Sequence, residues 1–173
     1  MWRRRVGNGG PLGGIQWGAA TDAKALYAAV SDVAIKHLVL GRPIVLDPTK
    51  GGGLHALAVE TGAVLWSAPP AKACADRANC SPAQSGAVTA TADFVLSGSV
   101  DGHVRAYSTK DGRVLWDYDT VQTFVTTNGV EASGGSLDSA GPTVAGGMIL
   151  VNSGYGLYGG QPGNVLAAFG PRP

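Results

Sequence analysis

Three carboxylates, Asp22, Asp101 and Asp138, fall where turns or long loops are expected, and a carboxylate held beside a hydroxyl can take its proton. None stands in a motif that assigns it this work. Asp101 heads an Asp-Gly pair and reads as a turn residue. His37, His55 and His103 are scattered, with no pair at metal-binding or triad spacing. Cys74 and Cys80 lie in a polar stretch with five residues between them, which is not zinc spacing, and no histidine is near. A small disulfide loop is preferred over two free thiols, and it would place the chain in an oxidising compartment. The chain has no Cys-x-x-Cys-His, so it carries no c-type haem.

The elements that must position these residues come as a repeat. Ala106 to Trp116 reads Ala-Tyr-Ser-Thr-Lys-Asp-Gly-Arg-Val-Leu-Trp, and Ala56 to Trp66 reads Ala-Leu-Ala-Val-Glu-Thr-Gly-Ala-Val-Leu-Trp. The two tryptophans are 50 positions apart, and a fixed period of that size marks a repeat architecture. Each copy reads as a strand, a tight turn and a second strand. Gly62 and Gly112 supply the positive φ of the turn. The small alanine that opens each copy leaves room for an indole, expected to come from a neighbouring unit. One such hairpin cannot cover its own apolar faces, so copies must stack.

The pattern of Ala, Thr/Asp-Gly and closing Trp resembles the tryptophan-docking motif of quinoprotein alcohol dehydrogenase propellers. Two longer strings resemble the polyvinyl-alcohol-dehydrogenase-like branch of that family. One is Cys80-Ser81-Pro82-Ala83-Gln84-Ser85 leading to Ser97-Gly98-Ser99-Val100-Asp101-Gly102-His103; the other is Gly134-Gly135-Ser136 leading to Asn152-Ser153-Gly154-Tyr155-Gly156. The resemblance covers nearly the whole chain. It implies an all-β fold: a partial β-propeller of about three four-stranded antiparallel blades.

The expected blades are about 14–67, 85–118 and 141–170, the last without its outer strand, in a single domain spanning 1–173. Within them, strands are expected at 14–19, 25–30, 54–59 and 63–67, then 85–90, 94–99, 103–108 and 113–118, then 141–144, 148–153 and 164–169. Trp2 precedes Arg5-Val6-Gly7 as a docking Trp precedes its loop, so the chain is expected to begin in the last strand of an absent blade. Three blades cannot close a ring, since propellers take about four to eight. The chain therefore reads as the C-terminal part of a larger propeller whose N-terminal blades are missing partners. The stretch 35–47 is too apolar for a plain loop and reads as an added hairpin or an irregular cover. Most long connections, at 31–53, 68–84, 119–139 and 154–163, fall at one end of the blades, where a site is expected.

The resemblance also implies chemistry. Family members bind pyrroloquinoline quinone and Ca2+, oxidise alcohol groups, and pass electrons to cytochrome c. Gln16 stands where the family's Asn-Trp-Gly segment has a calcium ligand, so Gln16 is the expected metal ligand, with Trp17 against the flat quinone. An amide oxygen suits calcium. Asn128 and Tyr155 lie in long loops and are expected to hydrogen-bond a quinone carboxylate or a polyol substrate. The alternative is that Trp17 is a core aromatic and Asn128 and Tyr155 are surface residues without a role. The position of His55 matches that of Arg105, and both are expected to point outward into solvent.

Composition narrows the rest. With 173 residues, 27 glycines and a formal charge of +1, the chain has no basic stripe and no nucleic-acid signature. No apolar run approaches the roughly 18 residues of a membrane helix. Met1-Trp2-Arg3-Arg4-Arg5 has the charge of a signal-peptide start, but Gly7-Asn8-Gly9-Gly10 follows where an apolar region belongs, so no signal peptide is read. The expected location of the parent is periplasmic or secreted. Two readings compete with the dehydrogenase: a non-catalytic scaffold propeller that binds proteins, and an inactive truncated gene product.

Overall fold

The computed structural model describes residues 1–171. The remaining residues of the expected last segment, Arg172 and Pro173, lie outside the described residues. Three antiparallel sheets follow one another along the chain. Sheet 1 is ordered β1 (Ala20–Thr21), β2 (Ala25–Val30), β5 (Gly53–Ala58), β6 (Val64–Ala68), with a small hairpin of β3 (Ile35–His37) and β4 (Val45–Leu46) inside its β2–β5 connection. Sheet 2 is ordered β7 (Val88–Ala90), β8 (Phe94–Gly98), β9 (His103–Ser108), β10 (Val114–Asp119). A second hairpin, β11 (Thr123–Val125) with β12 (Glu131–Ser133), follows it. Sheet 3 is β13 (Thr143–Ala145), β14 (Met148–Ser153) and β15 (Val165–Phe169).

Period-two alternation decides which sheet face meets which. Ala25, Tyr27 and Ala29 of β2, Leu54 and Ala56 of β5, and Trp66 and Ala68 of β6 share one face of sheet 1. They form a core with Val88, Val95 and Tyr107 of sheet 2. Val104 of sheet 2 and Val151 of sheet 3 meet around Leu137, with Trp116, Tyr118, Ile149 and Phe169 at its border. Trp116 and Tyr118 both lie edge-on to Phe169, with ring centroids 5.1 and 4.8 Å away. Buried hydroxyl pairs tie the sheets above these cores: Ser31 with Ser85 at 2.8 Å, and Thr120 with Ser153 at 2.7 Å.

The repeated tryptophans hold sheet to sheet. The Trp66 indole lies over Gly112, whose φ is +71°, and its N–H donates to the Thr109 carbonyl at 2.9 Å. Any side chain at Gly112 would overlap the ring. Trp2 has the same relation to sheet 1: it lies over Gly62 and donates to the Val59 carbonyl at 2.7 Å. Trp116 packs edge-on against Phe169.

Several expectations are corrected here. The inner strand expected at 14–19 is a loop that becomes a strand only at Ala20–Thr21, and β7 and β13 also begin later than expected. Gly13 at φ +94° and Gly18 at φ +152° take backbone conformations that a strand does not use. The long connection at 119–139 contains the β11–β12 hairpin. Arg105 is not solvated: its side chain is 2% exposed and pairs at 2.9 Å with Asp101, which is 0% exposed and no ordinary turn residue. His55 is half-buried between Ser67 and the Gly52 carbonyl.

A disulfide joins Cys74 and Cys80. The loop it closes presents Arg77, which pairs with Asp119 at 2.6 Å and donates to the Asp101 carbonyl at 3.0 Å. The loop is thereby fastened to the end of sheet 2. Burial pushes the Asp119 carboxyl up, but the Arg77 and Val121 donors and the nearby His103 outweigh it and hold it below the usual carboxylate range. Replacing both cysteines by serine is expected to cost about 2 kcal/mol, from the entropy of a short closed loop. Urea melts of the oxidised, reduced and substituted chains check this; equal midpoints would refute it.

Candidate functional site

Three segments meet at the end of the sheets where the long connections lie. The segment before β1 carries Gln16 and Trp17, the segment before β13 carries Asp138, and the segment after β14 carries Tyr155. Residues 134–138 are the hub. Ser136 is fully buried and donates its hydroxyl to the Val100 carbonyl at 2.6 Å. Its carbonyl accepts from the backbone N–H of both Gly154 and Tyr155, at 3.1 and 3.0 Å. Leu137 N–H donates to the Ser99 carbonyl at 3.1 Å, and the Ser139 carbonyl accepts from Ala87 N–H at 2.9 Å. Asp138 is therefore held between two anchored neighbours. Gly154, at φ +120°, lets the chain turn against Gly163, which a larger residue would block.

Trp17 and Tyr155 meet edge to face, with centroids 6.4 Å apart and planes at 83°. Trp17 is 52% exposed, so its ring offers a free flat face. Beside it, Asp138 is buried and its Oδ1 has no hydrogen-bond partner. Burial pushes its carboxyl up, and a hydrogen bond from the Trp17 indole pulls it only partly back. Gln16 Oε1 is likewise buried without a partner. An orphaned buried oxygen costs free energy and marks a place where a ligand could repay it.

Of the residues expected from sequence, the structure brings Trp17 and Tyr155 together and buries the Gln16 oxygen in the same segment. Asn128 is not joined to them. It lies exposed at the tip of the β11–β12 hairpin, where its side-chain oxygen accepts from the Thr126 hydroxyl at 2.7 Å and from Val130 N–H. These two bonds shape that turn. Asp22 accepts from the Tyr27 hydroxyl at 2.6 Å and caps the β1–β2 turn, and Asp101 neutralises Arg105. Asp138 is the remaining acid of the three, and sequence alone gave no sign that it would be buried.

Asp138 carries a pH dependence of definite sign. Its folded-state value is raised, so the folded chain holds the proton more tightly than the unfolded chain does. Its contribution to stability is greatest below the ordinary carboxylate range and declines as pH rises through the raised value. The melting temperature of D138N minus that of the parent should therefore increase from pH 4 to pH 7. A flat difference would mean that Asp138 is not strained by burial.

The PQQ_2 family, described as outer membrane protein assembly factor BamB, matches residues 50–169. The chain belongs to this family. Two curated relatives are similar over 98% of the chain: polyvinylalcohol dehydrogenase from Pseudomonas sp, 43% identical, and polyvinylalcohol dehydrogenase from Sphingopyxis sp. (strain 113P3), 40% identical. The chain spans only 26% of the length of each. Among solved structures, the quinohemoprotein alcohol dehydrogenase ADHIIG of Pseudomonas putida HK5 superposes with a TM-score of 0.53 at 17% identity, covering 88% of this chain and 18% of that one. That likeness concerns the fold. The three sheets are part of a PQQ-type, dehydrogenase-like β-propeller.

Whether the site suits such a cofactor can be judged from its donors. Trp17 offers an open aromatic face, Gln16 Oε1 an unsatisfied amide oxygen, and Asp138 a carboxyl that burial pushes above its ordinary range. These fit one wall of a quinone site. Among the described residues, no group of three or more histidine, cysteine or acidic side chains could hold a metal.

Proposed function

We propose that this chain forms one wall of a pyrroloquinoline quinone site in a propeller that oxidises alcohol groups, with polyvinyl alcohol or a similar polyol as substrate. The observation that carries the reading is the free face of Trp17 beside the buried Asp138 carboxyl, whose Oδ1 has no hydrogen-bond partner. When bound, the quinone supplies a two-electron acceptor for the alcohol carbon. Trp17 gives its flat face for stacking, and Tyr155 holds that ring edge-on. Gln16 Oε1 offers calcium a ligand. Asp138, buried and unpaired on Oδ1, accepts or returns a proton at that atom when a hydroxyl is brought to it. Blades beyond these three complete the ring, and electrons leave to a cytochrome c. The disulfide supports a periplasmic or secreted location.

The scaffold reading has the family description in its favour but gives no reason for a buried carboxyl oxygen without a partner beside an exposed indole. Titration with pyrroloquinoline quinone, with and without calcium, separates the two. The expected result is saturable quenching of tryptophan fluorescence below about 10 μM, strengthened by calcium and removed by W17F. Among the tryptophans, Trp17 has the most exposed ring, so W17F isolates it. Quenching that survives W17F, or no quenching by the folded chain, overturns the reading.

A further inference from the structure

Tyr158 stands in a backbone conformation that its residue type avoids. Its φ of 58° and ψ of 32° are left-handed helical, inside a single 3-10 turn at Leu157–Gly159. The other non-glycine residues with positive φ among the described residues are Ala23, Asp32, Ala75 and Asn79, which are small or carry a short polar side chain suited to this region. A bulky aromatic there is an outlier. Packing does not repay it: the turn buries none of its residues, and Tyr158 is 49% exposed. Strain of this kind persists only where the surroundings impose it, and it gathers at binding sites.

The surroundings do impose it. The loop 154–163 that carries the turn is fastened at its base on Ser136. The Ser136 N–H donates to the Gln161 carbonyl at 2.8 Å, and its hydroxyl accepts from the Gln161 N–H at 2.8 Å. Gly163 N–H closes the loop onto the Gly154 carbonyl at 3.0 Å. At the tip, Gly159 (φ +89°) lies so close to the Ile44 carbonyl of the β3–β4 hairpin that a side chain there would strike it. Tyr158 therefore cannot relax into an ordinary turn without giving up one of these contacts. Tyr155, on the same fastened loop, is the ring that meets Trp17, and Ser136 lies two positions before Asp138. The strain thus holds two solvated side chains, Leu157 and Tyr158, on the loop that borders the site.

We infer that Leu157 and Tyr158 form the outer part of a substrate track that grips a polyol chain, with the chain's next segment at Trp17, Tyr155 and Asp138. The inference rests on the alcohol-oxidising reading above and narrows its substrate to long chains of repeated hydroxyls. Such a chain alternates an apolar carbon backbone with hydroxyl groups. The leucine and the ring faces cover the carbon backbone, and the tyrosine hydroxyls exchange hydrogen bonds with those of the chain. One such contact is weak, but several along one chain reinforce each other, because each after the first is intramolecular. A small alcohol occupies one end of the track and gains none of this.

Calorimetric titration of the whole chain with short polyvinyl alcohol, without quinone, tests the inference, with isopropanol as the single-hydroxyl control. The expected result is saturable binding of the polymer, with isopropanol weaker by about a hundredfold or more. Y158G should weaken polymer binding by about tenfold yet raise the melting temperature by about 2–4 °C, since glycine takes the left-handed conformation without strain. A ring kept for structure alone would lower the melting temperature when removed. Absence of polymer binding overturns the inference, as does equal binding by Y158G and the parent, or a loss of binding that comes with a lower melting temperature. Quinone quenching of Y158G should match that of the parent, which separates this inference from the cofactor reading. Polymer binding that needs Tyr158 in a chain never quenched by quinone supports the track and refutes only the cofactor.

Discussion

Arg105→Ala should lower stability by about 3–5 kcal/mol, a large share of what a domain of this size possesses. Arg105 is buried in β9, where its guanidinium bonds Asp101 at 2.9 Å, Asp117 at 3.1 Å and the Ser99 hydroxyl at 2.8 Å. Burial alone would pull its pKa down; the Asp101 charge and hydrogen bond outweigh that and hold it above its ordinary value. Removing the guanidinium leaves the Asp101 carboxylate with the Ser99 hydroxyl and the His103 N–H but no compensating charge. An unpaired buried charge is the costly outcome. Removing both charges together, as in R105M with D101N, should recover much of the loss, since a buried pair is worth little against a neutral substitute. R105K should fall between, because an ammonium lacks the planar fork that spans two carboxylates. Urea unfolding of the four chains forms the test. A loss below 1 kcal/mol for R105A would show that water entering the space solvates the Asp101 carboxylate.

How far the sequence could be read follows from the range of each interaction. The glycine turns and their tryptophans are local, so a spacing of Ala, Gly and Trp was enough to place β5 with β6 and β9 with β10. The second strands were legible for the same reason: short apolar runs beside turn residues. Arg105 was misjudged because its partner looks like any Asp-Gly turn; its burial depends on Asp117 and the Arg77 loop closing over that end of sheet 2. The first inner strand was misplaced because glycine at 13 and 18 admits conformations that a pattern of side chains does not report. The contact of Trp17 with Tyr155 and Asp138 joins segments more than a hundred residues apart. No spacing encodes it; it follows only from stacking sheet 3 on sheet 2 and sheet 2 on sheet 1.

Trp66→Ala should cost about 3–5 kcal/mol, the usual loss for a large buried aromatic. Trp66 is 9% exposed and stands 5.8 Å from the Tyr27 ring, in a core that joins sheets 1 and 2. Around it lie Ala25, Ala29, Ala56 and Ala68, residues too small to collapse into the space an indole leaves. A site that cannot relax keeps its cavity, and the cost stays at the upper end. Trp66→Phe separates packing from hydrogen bonding. It keeps a ring over Gly112 but gives up the N–H to Thr109, for about 1–2 kcal/mol beyond the lost area. W116A should cost less, because Trp116 is only half-buried at the border of its core. This ordering distinguishes two accounts of the stack. If the indoles hold the sheets together, W66A unfolds sheets 1 and 2 in a single transition at lower denaturant. If the loops and the hydroxyl ties hold them, W66A leaves the midpoint nearly unchanged, and the repeat of Gly and Trp along the chain has no energetic meaning.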